Sequence, residues 1–155
     1  MSRVRVVLLS HEKKDPYLSA AADYLQRAGR RFDASMVILR PEKRLRAKDQ
    51  TKVQEQEAKL LLQATEGCSR IALDAGGKLQ DTPAFAKSLE SILARGKATA
   101  FLIGGASGLD PVVRDKADAT WSLSPLTFPH RLAALLVAEQ IYRASEIARG
   151  GPYAK

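Results

Sequence analysis

The fold of this chain is decided by residues 101–142, which read FLIGGASGLDPVVRDKADATWSLSPLTFPHRLAALLVAEQIY. The stretch opens with an apolar run that ends in the pair Gly104-Gly105, and a second apolar run leads into a loop with two prolines. A long helix with apolar periodicity closes it. This order places irregular loops after two neighbouring strands. Because ligands bind beyond the carboxyl ends of strands in open α/β sheets, the stretch predicts a binding site as well as a fold class.

The remainder of the chain repeats the alternation of strand and helix. Asp15-Pro16 and Asp81-Thr82-Pro83 each place a capping aspartate before a proline in the first helical turn. Strands are predicted at 4–9, 36–39 and 69–74, and helices at 15–29, 49–64 and 84–94. Together these elements predict a single α/β domain over residues 1–155, with a mainly parallel sheet and helices on both faces.

The charge of the chain favours a polyanionic partner. The 155 residues are 45% hydrophobic and 27% charged, and the formal net charge is +8. Positive charge concentrates a protein on phosphate, so a nucleic acid is favoured over a membrane. The most basic segment, 40–52, either holds a phosphate backbone or is a solvated loop. A basic surface without any partner is the alternative.

The cysteine content and the N-terminal segment predict the cellular compartment of the protein. Cys68 is the only cysteine, so an internal disulfide is impossible and a reducing compartment is favoured. The apolar run at 6–9 is too short for a signal or membrane helix, and a cytoplasmic protein is therefore predicted. A structural zinc site is not expected, because the chain has only one cysteine and two histidines, His11 and His130.

Three segments contain candidate ligand-binding or catalytic residues. The turn at 104–108 has the spacing GGxxG, which is neither the dinucleotide fingerprint nor a Walker loop, although glycine amides are available to a ligand. The proline-stiffened loop at 124–131 suits recognition of a base edge such as that of adenine, or it is a packed Ω-loop. His130 begins the next helix, either as a proton acceptor or as a cap. In the tail, Tyr153 is suited to stacking on a base, unless the end is disordered.

Four motifs in order along the chain together resemble one family. They are LIGGASGL at 102–109, WSLS at 121–124, LTFPH at 126–130 and EQIYRA at 139–144. With the chain length, the Leu73-Asp74 strand end and the Pro152-Tyr153 tail, they are similar to the bacterial ribosomal RNA large subunit methyltransferase H family of the SPOUT superfamily. The resemblance runs along the whole chain.

This resemblance implies a SPOUT α/β-knot fold, with a C-terminal trefoil knot formed by about residues 98–148 and a tail at 149–155. It implies methyl transfer from S-adenosylmethionine to N3 of a pseudouridine in 23S ribosomal RNA, within the large subunit or assembled ribosome, by a homodimer without a metal. The tail is expected to reach the partner subunit's cofactor site. The implied cofactor-binding residues are Leu73, Gly104, Leu123, Ser124, Pro125, Leu126, Thr127 and Phe128. Beyond the resemblance, we hypothesise that the basic surface holds the RNA backbone while His130, Tyr153 and Lys155 surround the target base as the catalytic residues.

The tail departs from the family pattern at one position. The family tail reads Pro-Tyr-His before a basic residue, whereas this chain has Ala154. Two alternative hypotheses therefore stay open: a non-catalytic ribosome-binding or assembly factor that retains the fold, and a SPOUT methyltransferase for another RNA, such as transfer RNA. The absent GxGxxG motif counts against a nucleotide-dependent oxidoreductase, and no Ser/His/Asp or Cys/His set supports hydrolysis.

Overall fold

The computed structural model describes residues 1–12, 14–41, 49–105 and 108–154, with only the backbone of Ala154. The strands are β1 (Ser2–Leu9), β2 (Phe32–Leu39), β3 (Ser69–Leu79), β4 (Thr99–Ile103) and β5 (Ala119–Ser122). The helices are α1 (Pro16–Arg27), α2 (Gln50–Ala64), α3 (Thr82–Leu93), α4 (Pro111–Asp115) and α5 (His130–Ala148). Single 3₁₀ turns occupy Ala28–Arg30 and Pro152–Ala154. Most of the predicted basic segment, 42–48, and the predicted catalytic Lys155 lie outside the described residues.

The strands form one five-stranded sheet in the order β2-β1-β4-β3-β5, and each adjacent pair is parallel. The predicted α/β class with a mainly parallel sheet and flanking helices is thus confirmed, while the trefoil knot and the single-domain boundaries stay predictions. The expectation that β4 and β5 are neighbours was wrong, because β3 lies between them. The carboxyl ends of three strands, rather than two, therefore meet at one edge of the sheet.

Helices cover both faces of the sheet because the residues of β4 alternate between two cores. On one face α1, α3 and α5 pack over Phe101, which is fully buried with ring centroids 5.8 Å from both Phe85 and Trp121. On the other face α2 and α4 cover Leu102 with Leu61 and other apolar side chains. Strands that are buried on both faces need near-continuous apolar sequence, which is what residues 99–103 provide. In the described part of the chain, no helix is long and apolar enough to cross a membrane.

Helices α1 and α3 begin at the predicted aspartate caps, whereas α5 begins after Pro129 without a side-chain cap, so the alternative of His130 as a cap was wrong. The Asp15 carboxylate accepts hydrogen bonds from the first backbone amides of α1, and Asp81 accepts one from Ala84 N at 2.9 Å in α3. Asp110 caps α4 in the same way, through Val112 N at 2.9 Å. These bonds satisfy amides that the helix itself leaves unpaired. They fix where each helix begins relative to the strand before it.

Strand β3 is longer than the predicted segment 69–74. Leu73 and Lys78 both pair with Trp121, so the four residues between them form a bulge. A Cβ at Gly77 would lie 2.8 Å from backbone atoms of Thr120 and Trp121, an approach that only glycine permits. The glycine pair after Leu73 is therefore part of a bulge that redirects β3, and the strand continues beyond it.

Candidate active site

A cleft of about 280 Å³ opens at the carboxyl ends of β3, β4 and β5. Its walls come from the β3 bulge, the glycine turn after β4, the loop after β5 and the first turn of α5. Seven of the eight predicted cofactor-binding residues line it: Leu73, Gly104, Leu123, Ser124, Leu126, Thr127 and Phe128. Pro125 is not among the lining residues, and His130 is. The fold thus brings residues from three separate segments to one place.

The glycine turn after β4 lets the backbone fold tightly beside the cleft. A Cβ at Gly104 would lie 2.6 Å from Gly108 C and 2.7 Å from Leu109 N, so a larger residue cannot be accommodated without moving the backbone. Gly108 has a φ of +79°, in the region that L-residues rarely adopt, and its N–H donates to Gly105 O at 3.0 Å. The described glycines of this turn therefore present backbone to the cleft.

Hydrogen bonds between neighbouring residues hold the loop after β5. The Ser122 hydroxyl donates to Ser124 O at 2.9 Å, and the Ser124 hydroxyl accepts from Leu126 N at 3.0 Å. Leu126 nevertheless leaves 69% of its surface exposed, although it borders the cleft. A rigid loop with an exposed apolar tip is suited to contact with a ligand or with a second macromolecule.

His130 lies in the first turn of α5 and is half-buried at the cleft. Burial lowers the pKa of this imidazole, and the neighbouring Arg131 guanidinium lowers it further, against opposing effects of Asp15 and Glu12. Arg131 pairs with Glu12 at 2.5 Å and also with the buried carboxylate of Asp15, which caps α1. This network fixes the start of α5 against α1. His130 is therefore neutral near pH 7 and able to accept a proton.

Tyr153 lies away from the cleft of its own chain and is not among the described residues that line it. Its hydroxyl donates to Glu139 Oε1 at 2.9 Å, its ring centroid is 4.6 Å from that of Tyr142, and Arg143 lies over it at 4.9 Å. Burial and the bond to Glu139 raise the pKa of Tyr153 to about 12. In this position the phenol is a hydrogen-bond donor and cannot act as a base near neutral pH.

Several lining residues were not among the eight implied cofactor-binding residues, although Gly105 and Gly108 belong to the candidate turn at 104–108. Ile103, Gly105, Gly108 and Leu109 flank the predicted Gly104, so proximity in the chain to a strand end was an available signal. Asp74 and Ala75 also line the cleft, and both lie in the bulge of β3. The short glycine-containing run after Leu73 does not by itself predict a bulge. No group of His, Cys, Asp and Glu with the geometry of a metal site was found among the described residues.

The family comparison covers nearly the whole chain. Residues 2–154 match the family model described as predicted SPOUT methyltransferase. The chain is 38% identical over 152 residues to the ribosomal RNA large subunit methyltransferase H of Alkalilimnicola ehrlichii, covering 97% of this chain and 98% of that protein.

Solved structures share the fold. A probable methyltransferase from Bordetella pertussis Tohama I has a TM-score of 0.61 at 17% identity, over 93% of this chain and 96% of that one. The SpoU methyltransferase AviRb from Streptomyces viridochromogenes, solved with the cofactor AdoMet, has a TM-score of 0.50 at 12% identity, over 97% of this chain and 59% of that one. At such identities these likenesses bear on the fold alone.

Proposed function

The chain belongs to the SPOUT methyltransferase family, within its ribosomal RNA large subunit methyltransferase H group, and we propose that it methylates N3 of a pseudouridine in 23S ribosomal RNA. The observation that carries the proposal is the convergence of three segments on one cleft beside a half-buried histidine. The methyl donor in this proposal is S-adenosylmethionine, and the substrate is the RNA of the large subunit or of the assembled ribosome.

The residues of the cleft fit such a donor. Leu73, Leu123 and Phe128 offer apolar surface for a purine ring, and the turn at Gly104, where a Cβ would clash, lets a ligand approach the backbone. When bound, S-adenosylmethionine supplies a methyl group on a positively charged sulfur, which is already electrophilic. The protein then contributes by holding the methyl donor and the target base close together in the orientation that the transfer requires.

The charge and the half-buried histidine support an RNA base as the acceptor. A net charge of +8 favours contact with phosphates. N3 of a uracil-like ring carries a proton that must leave when the methyl group is added. His130 lines the cleft, and because its pKa is lowered it is neutral near pH 7 and suited to accept that proton.

A homodimer completes the proposed site. Within one chain Tyr153 is held against α5 by Glu139, on residues that do not line the cleft. The cleft volume of about 280 Å³ is slightly below the range for ligand sites, about 300–1,000 Å³, and a wall added by a second chain would enlarge the enclosed space. The family resemblance implies that the tail reaches the partner subunit's cofactor site, and we propose that Tyr153 and Lys155 lie on the target-base side of that cleft.

The proposal is tested by incubating the purified protein with isotope-labelled S-adenosylmethionine and ribosomes from cells that lack their own enzyme. We expect the label on a large-subunit pseudouridine, mapped by mass spectrometry. Label on transfer RNA would support a different RNA substrate instead. Cofactor binding without transfer to any ribosomal RNA would support the non-catalytic alternative, for which Ala154 is the motivating observation, and Ala154→His would then be the next variant to assay.

The proposed role of His130 predicts the pH dependence of the reaction. Because burial lowers the pKa of His130 from the usual value of about 6.5, the neutral form predominates above pH 7, and the single-turnover rate should be level there and fall only at a pH below the usual range of histidine titration. His130→Gln should slow the reaction about a hundredfold and remove this acid limb. His11→Gln changes the other histidine of the chain, which is not among the described residues that line the cleft, and this variant should keep the acid limb whatever its absolute rate. A wild-type rate that keeps rising tenfold per pH unit from 7 to 8 would rule out His130 as the base.

A further inference from the structure

Helix α2 carries a buried carboxylate that points at the glycine turn. Glu57 is only 7% exposed, and the next residues on the same face of the helix, Ala58 and Leu61, belong to the apolar core. Burying a carboxylate is costly unless it forms compensating hydrogen bonds, and a leucine at this position would have packed without that cost. Packing alone therefore does not explain why a carboxylate occupies this position.

Within the described part of the chain, this carboxylate accepts a hydrogen bond from the backbone beside the cleft. Gly105 N–H donates to Glu57 Oε2 at 3.2 Å. A Cβ at Gly105 would lie 2.6 Å from Oε2 and 2.9 Å from Oε1, so the carboxylate lies directly against the glycine. Burial raises the pKa of Glu57, while the Gly105 N–H and the nearby His11 act in the opposite direction. Glu57 does not itself line the cleft, but Gly105 does.

The bond to Gly105 also determines where the Gly104 carbonyl points. The two groups belong to one trans peptide, in which the N–H and the C=O point in opposite directions. Helix α2 packs on the opposite face of the sheet from α5, and α5 contributes His130 and Ala133 to the cleft. With the Gly105 N–H held by Glu57 on the α2 side, the planar peptide directs the Gly104 carbonyl away from α2, toward the side on which His130 and Ala133 line the cleft.

We propose that Glu57 is a positioning residue for the methyl donor. By holding the Gly105 N–H, its carboxylate orients the Gly104 carbonyl to accept a hydrogen bond from an N–H donor of S-adenosylmethionine, either the ammonium or the adenine amino group. This inference rests on the proposed use of the cleft by that cofactor. It assigns Glu57 no contact with the cofactor or with the reacting atoms.

Substitutions at Glu57 separate this role from packing. Glu57→Leu removes the acceptor and the buried charge, so the cofactor Kd measured by calorimetry should rise about tenfold while the melting temperature stays equal or increases. Glu57→Gln retains an oxygen acceptor of the same reach, and its Kd should stay within about threefold of wild type. Glu55→Leu, the same change at an exposed position of the same helix, is the matched control and should leave both quantities unchanged.

Hydrogen exchange at the Gly105 amide gives a second readout that does not depend on activity. This amide should exchange faster in Glu57→Leu than in wild type or Glu57→Gln, because its acceptor is gone. If Glu57→Leu does not fold, Glu57→Asp takes its place, since its carboxylate is one methylene short of Gly105 and should weaken cofactor binding to a similar degree.

The outcomes distinguish the inference from the function on which it rests. Wild-type affinity in Glu57→Leu or Glu57→Asp overturns the positioning role, and so does a Glu57→Gln variant that binds as weakly as Glu57→Leu. Equal losses in Glu57→Leu and Glu55→Leu also overturn it. A wild-type protein that does not bind S-adenosylmethionine at all contradicts the proposed function itself.

Discussion

Replacing Gly104 by valine should abolish cofactor binding while the chain stays folded. Even the first added carbon would lie 2.6 Å from Gly108 C and 2.7 Å from Leu109 N, and these backbone atoms cannot move aside as a flexible side chain would. The turn must open or shift into the cleft that Gly104 lines. We expect the Kd for S-adenosylmethionine, measured by calorimetry, to rise at least about a thousandfold, or about 4 kcal/mol.

The control for this variant is the same substitution at Gly29. A Cβ there meets no atom within 4 Å, and Gly29 does not line the cleft. Gly29→Val should therefore bind the cofactor as wild type does. Thermal unfolding of both variants checks the fold, because overpacking alone costs about 1–3 kcal/mol. Tight binding by a folded Gly104→Val protein would show that the cofactor does not use this turn.

The helices and the positions of the loops that line the cleft could be predicted because their signals are local. Asp81-Thr82-Pro83 contains its own cap and helix start, and the observed bond from Ala84 N to Asp81 matches that pattern. The glycine turn and the proline-bounded loop follow apolar runs directly, so their location at strand ends required no knowledge of the tertiary fold. The resemblance to a family then selected Leu73 and Gly104 from these segments.

The remaining features depend on contacts between segments far apart in sequence. Strand β3 lies between β4 and β5, and periodicity carries no information about which strands pair. Glu57 is 48 residues from Gly105 in the chain. Within the sequence of α2 nothing distinguishes Glu57 from the other charged residues of a polar helix. The bond between Tyr153 and Glu139 likewise required the fold, because the end of a chain is disordered by default.

Removing residues 152–155 should spare cofactor binding and abolish methylation. Tyr153 contacts Glu139, Tyr142 and Arg143, and none of these three lines the cleft, so the cofactor Kd should stay within about twofold of wild type. In the proposed dimer the tail completes the target-base side of the partner subunit's cleft. The single-turnover rate of methyl transfer to ribosomes should therefore fall at least about a thousandfold. Tyr153→Phe, which keeps the ring and removes only the hydroxyl that donates to Glu139, should cost about tenfold.

Mixed dimers decide whether the tail acts on its own chain or on its partner. A truncated chain has an intact cleft without a tail, and a Gly104→Val chain has an intact tail with a blocked cleft. If the tail acts on the partner subunit, a mixed dimer of these two inactive chains contains one complete site, and methylation should return to about half the wild-type rate per dimer, because one of its two sites is complete. If the tail acts on its own chain, no site in the mixed dimer is complete and the mixture stays inactive. Full activity in the truncated protein alone would remove Tyr153 and Lys155 from the proposed site.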